Sequence, residues 1–208
     1  MLGVIVPARN EEKNIGKVLS NLINCNIKPK DIFVIDNASS DKTSKIANDI
    51  GVNVILCEKV GYQQALKRGF KELNKRAYKK FLIIDGDNEI GIQSIQICLS
   101  NQNQYHIIIG YRNKIKRIGE KIVNMYFNAT YGIHDLMCGV KCGNMDLYNE
   151  SNHLEFGMDF FHFKNIGKKN VFNFPIDLNP RNESRLGNIF IVNIRLITNL
   201  IKFLIYRK

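Results

Sequence analysis

Phe81-Leu82-Ile83-Ile84-Asp85-Gly86-Asp87-Asn88-Glu89 is the stretch whose reading decides the fold. Four bulky apolar residues in succession predict a strand buried on both faces of a parallel sheet. The strand runs straight into Asp85 and Asp87, separated by one glycine, with a third carboxylate at Glu89. In an open α/β sheet, ligands gather at the carboxyl ends of the strands. Carboxylates crowded there repel one another unless a cation joins them. Mg²⁺ or Mn²⁺ suits such a group, because hard ions bind carboxylate oxygens and leave positions open for substrate phosphates. Asp85, Asp87 and Glu89 therefore read as a metal–diphosphate clamp, or alternatively as turn aspartates after a strand.

Outward from that stretch the chain alternates strand and helix. Leu2 to Val6 predicts a first buried strand, stopped by Pro7. Ile15, Val18, Leu19, Leu22 and Ile23 then form one apolar helix face, with Glu11 and Glu12 at its positive end. Ile32 to Ile35 predicts the second strand. Asp36 stands at its end, positioned to accept hydrogen bonds from a ribose or base, and Ser39 or Ser40 is expected to cap the next helix, through Ile46, Ala47 and Ile50. Val52 to Leu56 predicts the third strand, and Gly61 opens a helix burying Tyr62, Ala65, Leu66, Gly69, Phe70 and Leu73. This order predicts an α/β domain with a mostly parallel central sheet flanked by helices and right-handed crossovers.

Composition narrows the function. A chain of 208 residues suits one domain with a sizeable core. Its net charge of +11 calls for an anionic partner: nucleic acid, a phosphorylated substrate or an acidic membrane surface. No RNA- or DNA-binding signature accompanies the charge, so a basic nucleic-acid-binding protein is the weaker reading. Gly-x-Gly-x-x-Gly and the phosphate-binding loop ending in Gly-Lys-Ser/Thr are both missing, which disfavours hydride transfer and nucleotide hydrolysis of those kinds. Cys25, Cys57, Cys98, Cys138 and Cys142 are odd in number and lie mostly in apolar segments, as expected of reduced cytoplasmic thiols. Met1 leads directly into a strand, with no signal peptide visible.

Six segments in order carry a family resemblance. Val4-Ile5-Val6-Pro7-Ala8-Arg9-Asn10-Glu11 is similar to an opening strand with Pro-x-x-Asn-Glu, and Val34-Ile35-Asp36-Asn37-Ala38-Ser39-Ser40-Asp41 to Val-Asp-Asp-Gly-Ser-x-Asp. Gly61-Tyr62-Gln63-Gln64-Ala65 with Gly69, then Asp85-Gly86-Asp87, then Asp135-Leu136-Met137-Cys138-Gly139 follow. Phe174-Pro175-Ile176, Arg181 and Ser184-Arg185-Leu186 close the series. Together they resemble the inverting family-2 glycosyltransferases, and among them the polyprenyl-phosphate sugar synthases of the dolichyl-phosphate mannose synthase type. Asn37 stands where a second aspartate is usual, and Asp159 where glutamate is usual.

The resemblance implies a nucleotide-diphospho-sugar transferase (GT-A) fold over residues 1–187. It implies transfer of a hexosyl group, with inversion, from a GDP- or UDP-sugar to a polyprenyl phosphate, or alternatively to a glycan or glycolipid hydroxyl. Pro7, Ala8, Arg9, Asn10, Glu11, Asp36, Gly61, Asp85 and Gly86 would then line the donor. Arg181 and Arg185 would close over its diphosphate, as guanidinium forks suit phosphate oxygens. A metal on Asp87, with Asp85 and Glu89 nearby, would offset charge growing on the leaving group. A phosphate acceptor is already anionic, whereas a hydroxyl acceptor needs a base, for which Asp159 and Asp135 are the candidates. Arg112, Arg117 and Ser184 are the expected acceptor contacts, although Arg112 to Arg117 reads equally as a solvated basic face. His134, Cys138 and Cys142, four apart, form a weaker metal-site candidate.

Residues 188–208 form a separate C-terminal segment. Apolar residues dominate it, while Arg195, Asn199, Lys202 and Tyr206 recur at helical spacing as a narrow polar stripe. Its charges argue against a spanning helix and for one lying in a membrane interface. Packing on the core or in a homodimer is the other reading. A peripheral position on the cytoplasmic face of an anionic membrane is the expectation.

Overall fold

The computed structural model of the chain describes residues 1–57, 60–150, 154, 158–163, 166–176, 178 and 189–206. Along it run β1 (Leu2–Ala8), α1 (Ile15–Asn24), β2 (Ile32–Asp36), α2 (Thr43–Asp49), β3 (Asn53–Leu56), α3 (Tyr62–Lys75) and β4 (Lys80–Ile83). There follow α4 (Ile92–Asn101), β5 (Ile107–Arg112), α5 (Ile118–Tyr131), β6 (Lys141–Asn144), β7 (Val171–Ile176) and α6 (Ile189–Tyr206). The sheet order is β3-β2-β1-β4-β6-β5-β7. Only β6 runs against its neighbours, β4 and β5; the remaining pairs are parallel.

The predicted central strands lie where their composition demands. Val4 to Val6, Ile32 to Ile35 and Phe81 to Ile84 are completely buried, consistent with layers covering both faces of the sheet. Helix α1 turns Ile15, Val18, Leu19 and Leu22 inward and packs against α2 and α4. Helix α3 lies flush on β1, because a Cβ on Gly69 would come within 2.5 Å of Ile5. Its first residue departs from expectation: Tyr62 is half exposed, at the helix mouth rather than in the core.

Rings join the layers across the other half of the molecule. Phe70 of α3 meets Phe81 of β4 edge-on at 5.0 Å, and Phe81 stacks on Phe161 at 5.4 Å. Phe163 continues to Phe127 of α5 at 5.2 Å, which meets Phe203 of α6 at 5.3 Å. Burying each such side chain contributes about 2 kcal/mol or more. The C-terminal helix is thus packed on the domain through part of its surface.

Pro7 does not stop the first strand, which continues to Ala8 opposite Asp36. The Pro7 carbonyl accepts the Gly86 amide at 3.1 Å on the β4 side, where β4 pairing has ended at Ile83. The absent proline N–H faces that same side, beyond the last β4 pair. Adjacent β1 and β4 send their following helices in opposite directions along the sheet. Their carboxyl ends form a topological switch point.

Candidate active site at the switch point

The loops after β1 and β2 are bonded to each other. The Asn10 amide donates to the Ser39 hydroxyl at 3.0 Å, and the Ser40 amide donates to the Asn10 side-chain oxygen at 2.8 Å. The Glu11 amide donates to Thr43 at 2.8 Å, and the Glu12 amide to Asp41 at 3.0 Å. Asn10 takes a left-handed backbone, φ +55°, to make this turn. Neither serine caps α2, since both are spent on Asn10. The Asp41 carboxylate instead accepts the Thr43 amide at 2.9 Å. Asp36 is buried, and its two oxygens take the Ser39 amide at 2.8 Å and the Ser44 hydroxyl. Asn37 anchors the next element, with its side-chain oxygen accepting the Gly61 amide at 2.9 Å. Arg9 and Asn10 remain exposed at the rim, while Pro7, Ala8 and Glu11 are buried beneath them.

The Asp85-Gly86-Asp87 turn sits against this pair of loops. Gly86 is required by contact: a Cβ there would lie 3.0 Å from the Ala8 Cβ and 3.1 Å from the Pro7 oxygen. Asp85 accepts the Tyr62 hydroxyl at 2.7 Å on one oxygen. Its other oxygen occupies the space a Cβ on Gly139 would fill, 2.1 Å from that position. This gives the Cys138-Gly139 dipeptide its local purpose. The Asp87 carboxylate accepts the Glu89 amide at 3.1 Å across Asn88, which takes φ +58°.

Electrostatics at Asp85 are unusual for a carboxylate. Burial, then the negative charges of Asp87 and Glu89, push its pKa up to about 7 against the opposing pull of Tyr62 and Lys141. Burial and the neighbouring Asp85 also raise the Tyr62 phenol, which stays a donor. Lys141 of β6 is itself buried and donates to the Cys138 carbonyl; burial lowers its pKa. Among the described residues no three His, Cys, Asp or Glu converge on a metal position. Two expectations change accordingly. Glu89 is not grouped with Asp85 and Asp87 into a three-carboxylate metal position among the described residues, although its amide bonds the Asp87 carboxylate. His134 packs its ring against Tyr111 at 5.2 Å and builds no centre with Cys138 and Cys142. Two mutually repelling carboxylates with hard oxygen donors remain, and they fit Mg²⁺ or Mn²⁺ completed by phosphate oxygens.

Asp135 and Arg112 fall short of their expected roles for one reason. Asp135 is completely buried and accepts from two guanidinium nitrogens of Arg112, Nε at 2.7 Å and an Nη at 3.0 Å. Its oxygens also accept the Asn124 amide group at 3.2 Å and the Met137 backbone N–H at 3.2 Å. Burial pushes the Asp135 carboxyl up, but the bonds and charge of Arg112 outweigh it and hold the group low. A carboxylate so placed cannot serve as a base toward an acceptor. Arg112 also pairs with Glu120 at 3.1 Å, and Arg117 bonds the other oxygen of Glu120. Both arginines are therefore counter-ions within the fold rather than open phosphate contacts.

Asp159 accepts the Leu154 amide at 2.9 Å and is half-buried beside the Phe160–Phe163 aromatic run. Arg181, Ser184 and Arg185 lie outside the described residues. The sequence reading missed Tyr62, Lys141 and Glu120 as parts of this apparatus. Lys141 carried a usable signal, as the one charged residue in the run from Leu136 to Cys142. Tyr62 carried none, because its place on the helix face matches a core residue.

The chain is similar to known proteins across most of its length. The model of the family described as "Glycosyl transferase family 2" matches residues 3–158. Protein RfbJ of Shigella flexneri is 30% identical over 115 residues, 54% of this chain and 86% of that protein. The 4,4'-diaponeurosporenoate glycosyltransferase of Staphylococcus aureus is 41% identical over 54 residues, only 26% of this chain and 14% of that protein. Among solved structures, glucosyl-3-phosphoglycerate synthase of Mycobacterium tuberculosis superimposes with TM-score 0.75 at 16% identity, covering 98% of this chain and 80% of that one. Mannosyl-3-phosphoglycerate synthase of Rubrobacter xylanophilus gives 0.76 at 15% identity, covering 100% and 74%. The fold is the nucleotide-diphospho-sugar transferase (GT-A) fold.

Proposed function

The chain belongs to glycosyl transferase family 2, and from that premise we propose that it moves a hexosyl group, with inversion, from a GDP- or UDP-sugar to a polyprenyl phosphate. The observation that carries the donor half is the Asp85-Gly86-Asp87 turn, pinned to Pro7 at the switch point between β1 and β4. Pro7 to Glu11, Asp36, Gly61 and Gly86 form the donor floor in this reading. A solved structure of the Mycobacterium tuberculosis synthase holds Mn²⁺ and UDP-glucose, which supports the same donor chemistry here.

A divalent ion held by Asp87 and Asp85 supplies positive charge where the nucleoside diphosphate leaves. The chain's own residues prepare that position. Tyr62 fixes one oxygen of Asp85, Gly139 leaves room for the other, and Lys141 lends positive charge from behind. Arg181 and Arg185 are proposed to fold over the diphosphate. An acceptor phosphate brings its own anionic oxygen and needs no general base. With Asp135 spent on Arg112, a hydroxyl acceptor would leave Asp159 as the base. A lipid acceptor places the enzyme peripherally on the cytoplasmic face of a membrane.

Turnover tests this reading. The full-length protein with Mn²⁺ should transfer sugar from GDP- or UDP-sugars to a polyprenyl phosphate in detergent, and Asp87→Asn should lose at least a hundredfold in rate. Transfer to glycan hydroxyls with none to the lipid phosphate would replace the acceptor assignment.

A further inference from the structure

Helix α6 spends only one side on the domain. Val192, Leu196, Leu200 and Phe203 turn inward, and the Asn193 side chain accepts the Gly119 amide of α5 at 2.9 Å. The opposite side is also apolar: Phe190, Ile194, Ile197, Ile201 and Ile205 face solvent, Phe190 at 71% exposure. On α5, Ile118 and Met125 are exposed at 67% and 68%. By length and composition α6 could cross a membrane, at mean hydropathy 1.7. Its inner face is nevertheless packed on α5 and its exposed surface carries Arg195 and Lys202, as befits a helix lying along a surface.

Charge identifies what covers this face. Lys114 and Lys116 are exposed on the loop running into α5, Lys121 on α5 itself, and Arg195 and Lys202 on α6. Among the described residues of that loop and the two helices the only carboxylate is Glu120, buried between Arg112 and Arg117. A second copy docking through the same patch would set cations against cations. An anionic lipid surface accepts both the isoleucines and the lysines.

We propose that the outward face of α6, with the Lys114–Lys116 loop and Lys121, docks the enzyme on an anionic bilayer along the flank of the domain that ends at the carboxyl edge of the sheet. The placement follows from topology: α6 runs alongside α5 from the Gly119–Asn193 bond to the Phe127–Phe203 contact, so its outward face is a flank of the domain. β4 and β5 both run against β6, so their carboxyl ends share one edge. The basic loop leaves the end of β5, and the Gly119–Asn193 bond holds the first turns of α5 and α6 beside it. The docked flank therefore ends at the same sheet edge that carries Asp85 and Asp87. The inference rests on the membrane part of the reading above and adds the surface.

Cosedimentation of the full-length protein with vesicles tests it, alongside Mn²⁺-dependent binding of GDP- and UDP-sugars. Wild type should bind phosphatidylcholine vesicles containing phosphatidylglycerol, more weakly at high salt, and pure phosphatidylcholine poorly. Each of Lys114→Gln, Lys116→Gln and Lys202→Gln should lower vesicle affinity about fivefold. Ile194→Asp with Ile201→Asp should abolish it, and Lys17→Gln on α1 should change nothing. Circular dichroism confirms that these surface variants fold. Equal binding to neutral and anionic vesicles, indifference to the lysines, or a stable dimer lost in Ile194→Asp would overturn the docking surface. Loss of vesicle binding with sugar-nucleotide binding intact fails the docking alone; vesicle binding without sugar-nucleotide binding fails the transfer reading alone.

Discussion

Asp85 shows how a single residue can be tuned against the fold that holds it. Its folded pKa of about 7 lies above the ordinary carboxylate value of 3.8, so the folded chain retains a proton that the unfolded chain releases. Stability therefore falls as pH rises from about 4 to about 7, and the full cost is present above that window. Asp85→Asn should stabilise the metal-free protein at pH 8 by about 2 kcal/mol, roughly half the value of a shift this size, because Asp85 keeps partial solvent contact. At pH 4 the gain should vanish. Urea unfolding in chelator at both pH values reads this out, and an unchanged or lower midpoint for the variant at pH 8 would contradict it. Sequence showed the carboxylates but not their partners. Tyr62, Lys141 and Gly139 arrive from α3, β6 and the turn before β6, and no local pattern links them to Asp85. Asp135 illustrates the reverse: its motif reads as chemistry, yet Arg112, distant in sequence, makes it a buried counter-ion.

At the scale of elements, the apolar runs and helical periodicities place β1 to β4 and α1 to α3; β1, β2 and β4 announce themselves by composition as buried parallel strands, and the half-exposed β3 by its apolar run. Pro7 was misread because the rule that proline ends a strand assumes an N–H is needed, and here that N–H falls beyond the paired part of β4. The antiparallel β6 was not legible, since Lys141 to Asn144 is short and half polar. Helix α6 has two apolar faces, which sequence alone merges into one broad stripe. Phe203→Ala should destabilise the whole domain by about 3 kcal/mol, because it opens a cavity against Phe127 and Tyr126. Denaturation followed by both tyrosine fluorescence and circular dichroism should then shift as one transition. A wild-type midpoint would mean that α6 contributes nothing to the core.

Across the whole molecule, the strand order gives the site its position. Because the chain turns outward from β1 to β2 and β3 and then returns to β4, two carboxyl ends open side by side at the centre. The zipped loops of Asn10 and Ser39 wall one side, and the Asp85-Gly86-Asp87 turn walls the other. A divalent ion shared with a diphosphate is the account's central claim. Calorimetric titration of UDP- and GDP-sugars, with Mn²⁺ and with chelator, tests it most directly in wild type and Asp87→Asn. The account predicts that one of these donors binds wild type at least tenfold more tightly with Mn²⁺, and that Asp87→Asn removes the gain while keeping its fold. Donor binding of equal strength with and without metal, unchanged in Asp87→Asn, would contradict it.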